Sequence, residues 1–292
     1  MKSMLIFFSL FMGWVYEMHG QIQPFILGFD IHYTDSIHFT HPTVLSKINM
    51  GEYTSSAACF LDEILVIHQF IEEPQSDIWI LNWNDLECQP ITRTSIDERN
   101  VHYWPERDGF LCLVYNTGKD STNDQVLWFY PRDRSNRGYL IYDPEADILS
   151  FAPINQHEIA VLLGNKTNQL AILNVSKKLL NVFSSNVAPG LLYSNNLLYF
   201  IHEGKLHTRT LKAYDKESKQ AISLFQLQDS VSCFVQGEDD YWFLSKNSRI
   251  FAINNDAKDH WEEVLDLSVF GIQFIDKMVI CKGRLIISGR TQ

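Results

Sequence analysis

The 292-residue chain contains no CxxC pair, no HExxH, no GxSxG nucleophile elbow and no glycine-rich phosphate loop. Without the elbow, serine-hydrolase chemistry lacks its exposed nucleophile. Without HExxH or a phosphate loop, zinc hydrolysis and nucleotide binding lack the spaced ligands and the backbone cradle they need. No block of like charge is present. The formal net charge of −11 describes a generally acidic surface, which repels nucleic acid and anionic membrane alike. Also missing is any stretch of helical length with clean 3.6-residue periodicity; LKAYDKESKQ at 211–220 is short and fits a polar hairpin loop better. Cysteine is scarce and scattered: Cys59, Cys88, Cys112, Cys233 and Cys281 stand in or beside apolar runs, and five thiols cannot all pair. They are expected to be buried thiols of core strands, with one disulfide possible and its partners not fixed by spacing.

What is present begins with MKSMLIFFSLFMGWVY, a lysine followed by an apolar run of about a dozen residues, the size of a signal-peptide core and short for a bilayer span. Residues 1–20 are expected to be removed near EMHG-QIQ, leaving 21–292 as a single domain with no membrane span; a buried first strand is the competing reading.

Beyond the leader come short runs rich in Ile, Val, Tyr, Phe and Trp, among them EILVIHQF, DIWILNW, GFLCLVY, EIAVLLG, NLLYFIH, DDYWFLS and RLIISG. Such runs between Gly, Asp and Asn turns are strands, so the chain is all-β. The most apolar run of each unit recurs every ~40 to 50 residues, the size of a four-stranded propeller blade. Units at 51–94, 97–143, 148–187, 188–228 and 230–268 account for five blades. Two strands then remain at 271–290 and two more at 25–46. Paired, they complete a six-bladed β-propeller of four-stranded antiparallel blades with both open edges satisfied. RLIISG is expected to pair with the segment around FDIHY. In TRTSIDERNVHYWPERDGFLCLVY the first half crosses between blades, NVHYWP is an inner strand, and Pro105–Gly109 form a hairpin turn in which Gly109 supplies a positive φ.

The segment DIWILNWNDLECQPITRTSIDERNVHYWPERDGFLCLVY, residues 77–115, resembles the TolB-like six-bladed propellers with WD40-like (PD40) repeats, common in exported bacterial proteins. Asp77-Ile78-Trp79, Ile91-Thr92, Glu98, Pro105, Asp108 and Gly109 fill the family's pattern; GFDIHY, VLLGNKTNQLAI and SRIFAI echo it more faintly. Ahead of one inner strand, GEYTSSAACF keeps only Gly51 of the family's Gly-Tyr-Asp and Pro. The amino-terminal α/β domain of the family's namesake is missing, so its envelope role does not carry over. The resemblance implies a periplasmic or secreted protein, with a Gram-negative bacterium as the expected source.

Inner-strand position makes Tyr53, Arg99 and Ser232 candidates for lining the central channel, and Glu98 a candidate for a structural ligand of blade-junction backbone amides. Other carboxylates near inner strands (Asp147, Glu158, Glu238, Asp239 and Asp240) show no glycosidase-like constellation. His38 and His41 fall on opposite pleat faces, and neither a metal nor a cofactor is expected. Tyr103, Trp104, Trp128, Tyr130, Trp242 and Trp261 fit packing between blades better than sugar stacking. The expected function is therefore a non-enzymatic, monomeric binding or scaffolding module for another envelope or secreted protein or peptide. The alternatives are a glycan hydrolase or lyase acting in the channel, and a small-ligand or cation binder.

Overall fold

Short strands with apolar side chains on both faces are buried between two sheets, and the computed structural model arranges them that way. It describes residues 24–34, 37–45, 53–61, 63–69, 75–115, 125–133, 138–227, 231–238, 240–254 and 261–291. The expected leader lies outside these residues. In chain order come β1 (Pro24–Tyr33) and β2 (Ile37–Val44). The first complete blade is β3 (Tyr53–Phe60), β4 (Glu63–Gln69), β5 (Ser76–Leu81) and β6 (Cys88–Pro90). The second is β7 (Asp97–Trp104), β8 (Gly109–Tyr115), β9 (Gln125–Pro131) and β10 (Tyr139–Tyr142). The third is β11 (Asp147–Asn155), β12 (Glu158–Gly164), β13 (Gln169–Asn174) and β14 (Leu179–Ser184). The fourth is β15 (Val187–Ser194), β16 (Leu197–Glu203), β17 (Arg209–Asp215) and β18 (Gln220–Leu227). The fifth is β19 (Val231–Gln236), β20 (Tyr241–Lys246), β21 (Arg249–Asn254) and β22 (Glu262–Asp266), and β23 (Ile272–Cys281) and β24 (Arg284–Thr291) end the chain.

The sixth blade has the order β2-β1-β24-β23, so the two ends of the chain meet in one antiparallel sheet, as the strand count requires. Leu285 sits opposite Phe29 and Ile287 opposite Leu27, with RLIISG pairing over Phe25–Asp30, a few residues toward the N-terminus of FDIHY. First strands meet first strands around the ring, β23 beside β3, β3 beside β7, and on through β11, β15 and β19 back to β23. These six strands line the axis.

Pleat alternation distributes the core. Leu65 and Ile67 of β4 enter the cluster between the first and second blades, while Ile64 and Val66 enter the one between the first and sixth. In β12, Ile159, Val161 and Leu163 face the second blade, and Ala160 and Leu162 face the fourth. Each seam among the described residues has one such cluster. The aromatic residues fall into them as expected: Trp104 and Trp242 are fully buried, and Tyr130 nearly so.

The turn after β7 differs from expectation in one respect. Pro105–Arg107 form a 3-10 turn, but the positive φ, 46°, belongs to Asp108. Gly109 opens β8 and is needed for closeness instead: a Cβ there would collide with the Phe129 ring and the Tyr130 carbonyl oxygen.

Candidate binding site in the central channel

The inner strands place the predicted residues in quite different surroundings. Tyr53 opens β3, its backbone opposite Gln69; its side chain is not among the described ones. Glu98 is fully buried in the seam between the first two blades rather than on the lumen. Its partners are hydroxyls, not the expected backbone amides. Thr92 Oγ1 donates to Oε2 at 2.5 Å, and Tyr130 Oη and Thr94 Oγ1 donate to Oε1 at 2.6 and 3.0 Å. Thr92 Oγ1 also accepts from the Ile78 amide at 2.8 Å, which ties the crossing segment to β5. Burial pushes the Glu98 carboxyl up to about 7, against the opposing pull of its hydroxyl donors.

Arg99 alternates to the other face and is exposed, its guanidinium 2.7 Å from Asp97 Oδ2 and 4.7 Å from the Tyr115 ring centroid. The buried Asp97 in turn accepts from the amide and hydroxyl of Ser76. Ser232 is exposed at β19 and joins the fifth blade to the sixth, with Oγ 2.7 Å from Ser245 Oγ and 3.1 Å from the Ile275 carbonyl oxygen. His41 lies on the outer strand β2, 3.2 Å from Asp30. Among the described residues no group of three or more His, Cys, Asp or Glu is placed to hold a metal ion.

Three residues that sequence reasoning passed over hold the lumen. A β-bulge between Arg99 and His102 puts Asn100 at φ 52°, and its Oδ1 accepts from Lys277 Nζ at 3.3 Å. Burial lowers the Lys277 ammonium to about 8. His102 sits with its ring 4.8 Å from Phe151, and burial, reinforced by the Lys277 charge, holds the imidazole well below its usual range and so neutral. The available signal was a lysine in the middle of the inner-strand run IQFIDKMVIC.

Next to His102 a cavity of about 510 Å³ opens where the inner strands of the second, third and fourth blades reach their hairpin turns. Ala152, Pro153, Ile154, Leu191 and Leu192 supply apolar wall, and Tyr103, Glu106, Tyr193 and Asn195 supply polar rim. That mixture, in that volume range, suits a ligand held by shape with a few polar contacts.

The six closed four-stranded sheets make the protein a six-bladed β-propeller. It is similar in structure to TolB from Acinetobacter baumannii, with a TM-score of 0.56 at 8% sequence identity over 82% of this chain. The chain spans 65% of the length of that TolB chain, and at this identity the likeness concerns the fold. A puromycin hydrolase mutant complexed with PGG matches at TM-score 0.47 and 11% identity, over 68% of this chain and 33% of its own. No family model and no curated protein matches the sequence.

Proposed function

We propose that the protein is an exported, non-enzymatic propeller whose 21–292 domain binds a protein or peptide partner at the cell envelope, with residues 1–20 serving as the export signal. The observation that carries this reading is the cavity of about 510 Å³ at one mouth of the channel, lined from three blades, with its apolar wall supplied by the third and fourth. A Cys59–Cys281 disulfide, of a kind that persists in oxidising compartments, supports export. The TolB likeness supports the fold on which such a mouth is built.

The test is site-specific photo-crosslinking in living cells of a Gram-negative host. A crosslinker at Tyr193, on the cavity, should give one discrete adduct; the same group at Ile222, on an outer strand, should give none. Equal labelling from both positions, or none from Tyr193, contradicts the reading. N-terminal sequencing of the exported protein should begin near Gln21, and an intact Met1 on soluble cytoplasmic protein contradicts export.

A further inference from the structure

The Lys277–Asn100 contact joins blades that are not neighbours. β3 lies between β23 and β7 around the axis, so a hydrogen bond from β23 to β7 passes in front of β3, through the lumen. The ammonium therefore stands in the channel itself. Two residues beyond Asn100, on the other limb of the bulge, His102 forms part of the cavity lining. Entering from the hairpin side, a ligand meets the apolar wall first, then the neutral imidazole, then the region of the ammonium.

This order selects a chemistry. A half-buried ammonium is desolvated, and a carboxylate brought beside it restores the interaction lost with water through a charge-assisted hydrogen bond. A neutral imidazole adds a donor without a second charge. Ala152, Ile154 and Leu191 then offer an apolar side chain its wall, while Glu106 at the mouth disfavours further acidic groups outward and favours basic ones. The sequence apolar side chain, terminal carboxylate, with no acidic group just behind, describes the end of a polypeptide. We propose that the channel captures the free C-terminal carboxylate of the partner, seated against Lys277 and Asn100 with the last apolar side chain in the cavity. This rests on the partner-binding reading above and specifies which part of the partner enters.

Fluorescein-labelled hexapeptides ending in Leu or Phe, prepared as free acids and as C-terminal amides, would be titrated into the mature protein by anisotropy. Free acids should bind at least tenfold more tightly than their amides, and Lys277→Met should remove that difference while Lys277→Arg retains most of it. The acid–amide comparison uses the unaltered protein, so it stands even if a variant fails to fold. Equal affinities for acid and amide, or no binding by either, overturn the proposal. N-acetyl-leucine competing as strongly as the hexapeptide acids also overturns it, because the site would then be one for small carboxylic acids. A discrete Tyr193 adduct in cells together with equal acid and amide affinities would sink this inference alone and leave partner binding intact.

Discussion

Two neighbouring seams of this ring are held by opposite means. Between the sixth and first blades the contact is apolar and covalent. Cys59 of β3 and Cys281 of β23 form a disulfide across 222 residues of sequence. Beside it the Trp83 ring lies so close over Gly28 that a Cβ there would collide with it, and Arg284 covers that ring at 4.5 Å while pairing with Asp30 at 3.0 Å. Between the first and second blades the buried polar cluster of Glu98, Thr92, Thr94 and Tyr130 accompanies the apolar core. The closing seam joins the two ends of the chain, whose encounter carries the loop-closure entropy of nearly the whole molecule, and a crosslink there acts chiefly on the unfolded state. The polar seam joins units consecutive in sequence and needs no such link. Its buried carboxyl gives it a dependence on pH.

The largest effect should come from breaking closure. Deleting 285–292 removes nearly all of β24, leaving β1 and β23 as facing open edges, and the whole ring should lose its cooperative thermal transition by circular dichroism. An unchanged midpoint would mean that the terminal strands only decorate a ring closed elsewhere.

Replacing Cys59 and Cys281 together by serine should lower stability by about 2–5 kcal/mol, read from the urea midpoint, and should abolish sensitivity to dithiothreitol. Serine at Cys88, which lies outside the disulfide, should leave that sensitivity intact.

The polar seam should respond to pH instead. Folding raises the Glu98 carboxyl from its ordinary 4.5 to about 7, so the native state holds that proton more tightly than the unfolded chain does. The resulting stabilisation is fully present below pH ~4.5 and is lost as pH rises through ~7, a change of roughly 3 kcal/mol. Relative to Glu98→Gln, which cannot titrate, the native protein should therefore lose stability over that window. Parallel pH curves for the two proteins would remove the carboxyl from the account.

Smallest of all, Arg284→Ala should cost about 1 kcal/mol, through the lost ring stacking and the partly screened pair with Asp30, as measured by denaturant titration.

The two seams also differ in how far they could be read from the chain. The polar seam is local: Asp77, Thr92 and Glu98 stand close in sequence on either side of one blade junction, and their spacing carries the family resemblance. The hydroxyl partners of Glu98 are less legible, because Thr94 reaches it only when the crossing segment folds back and Tyr130 only when β9 pairs with β8. Closure followed from counting strands, since two plus two leaves no other way to satisfy four edges. The disulfide did not, because Cys59 and Cys281 become neighbours only through that closure. The need for Gly109 is not legible locally, since turn patterns reveal φ preferences but not the approach of Phe129 from the next strand. Lys277 and Asn100 escaped notice for a similar cause: they meet across the lumen from blades far apart in sequence, and the bulge that turns Asn100 inward leaves no mark in the alternation of β7.

Disulfide mapping of the exported protein tests the closed ring most directly. Under denaturing, non-reducing conditions, alkylation followed by proteolysis should label Cys88, Cys112 and Cys233 and return one crosslinked peptide joining Cys59 to Cys281. That link requires the first strand of the first complete blade to lie beside the penultimate strand of the chain. Five alkylated cysteines, or a crosslink between any other pair, would contradict it.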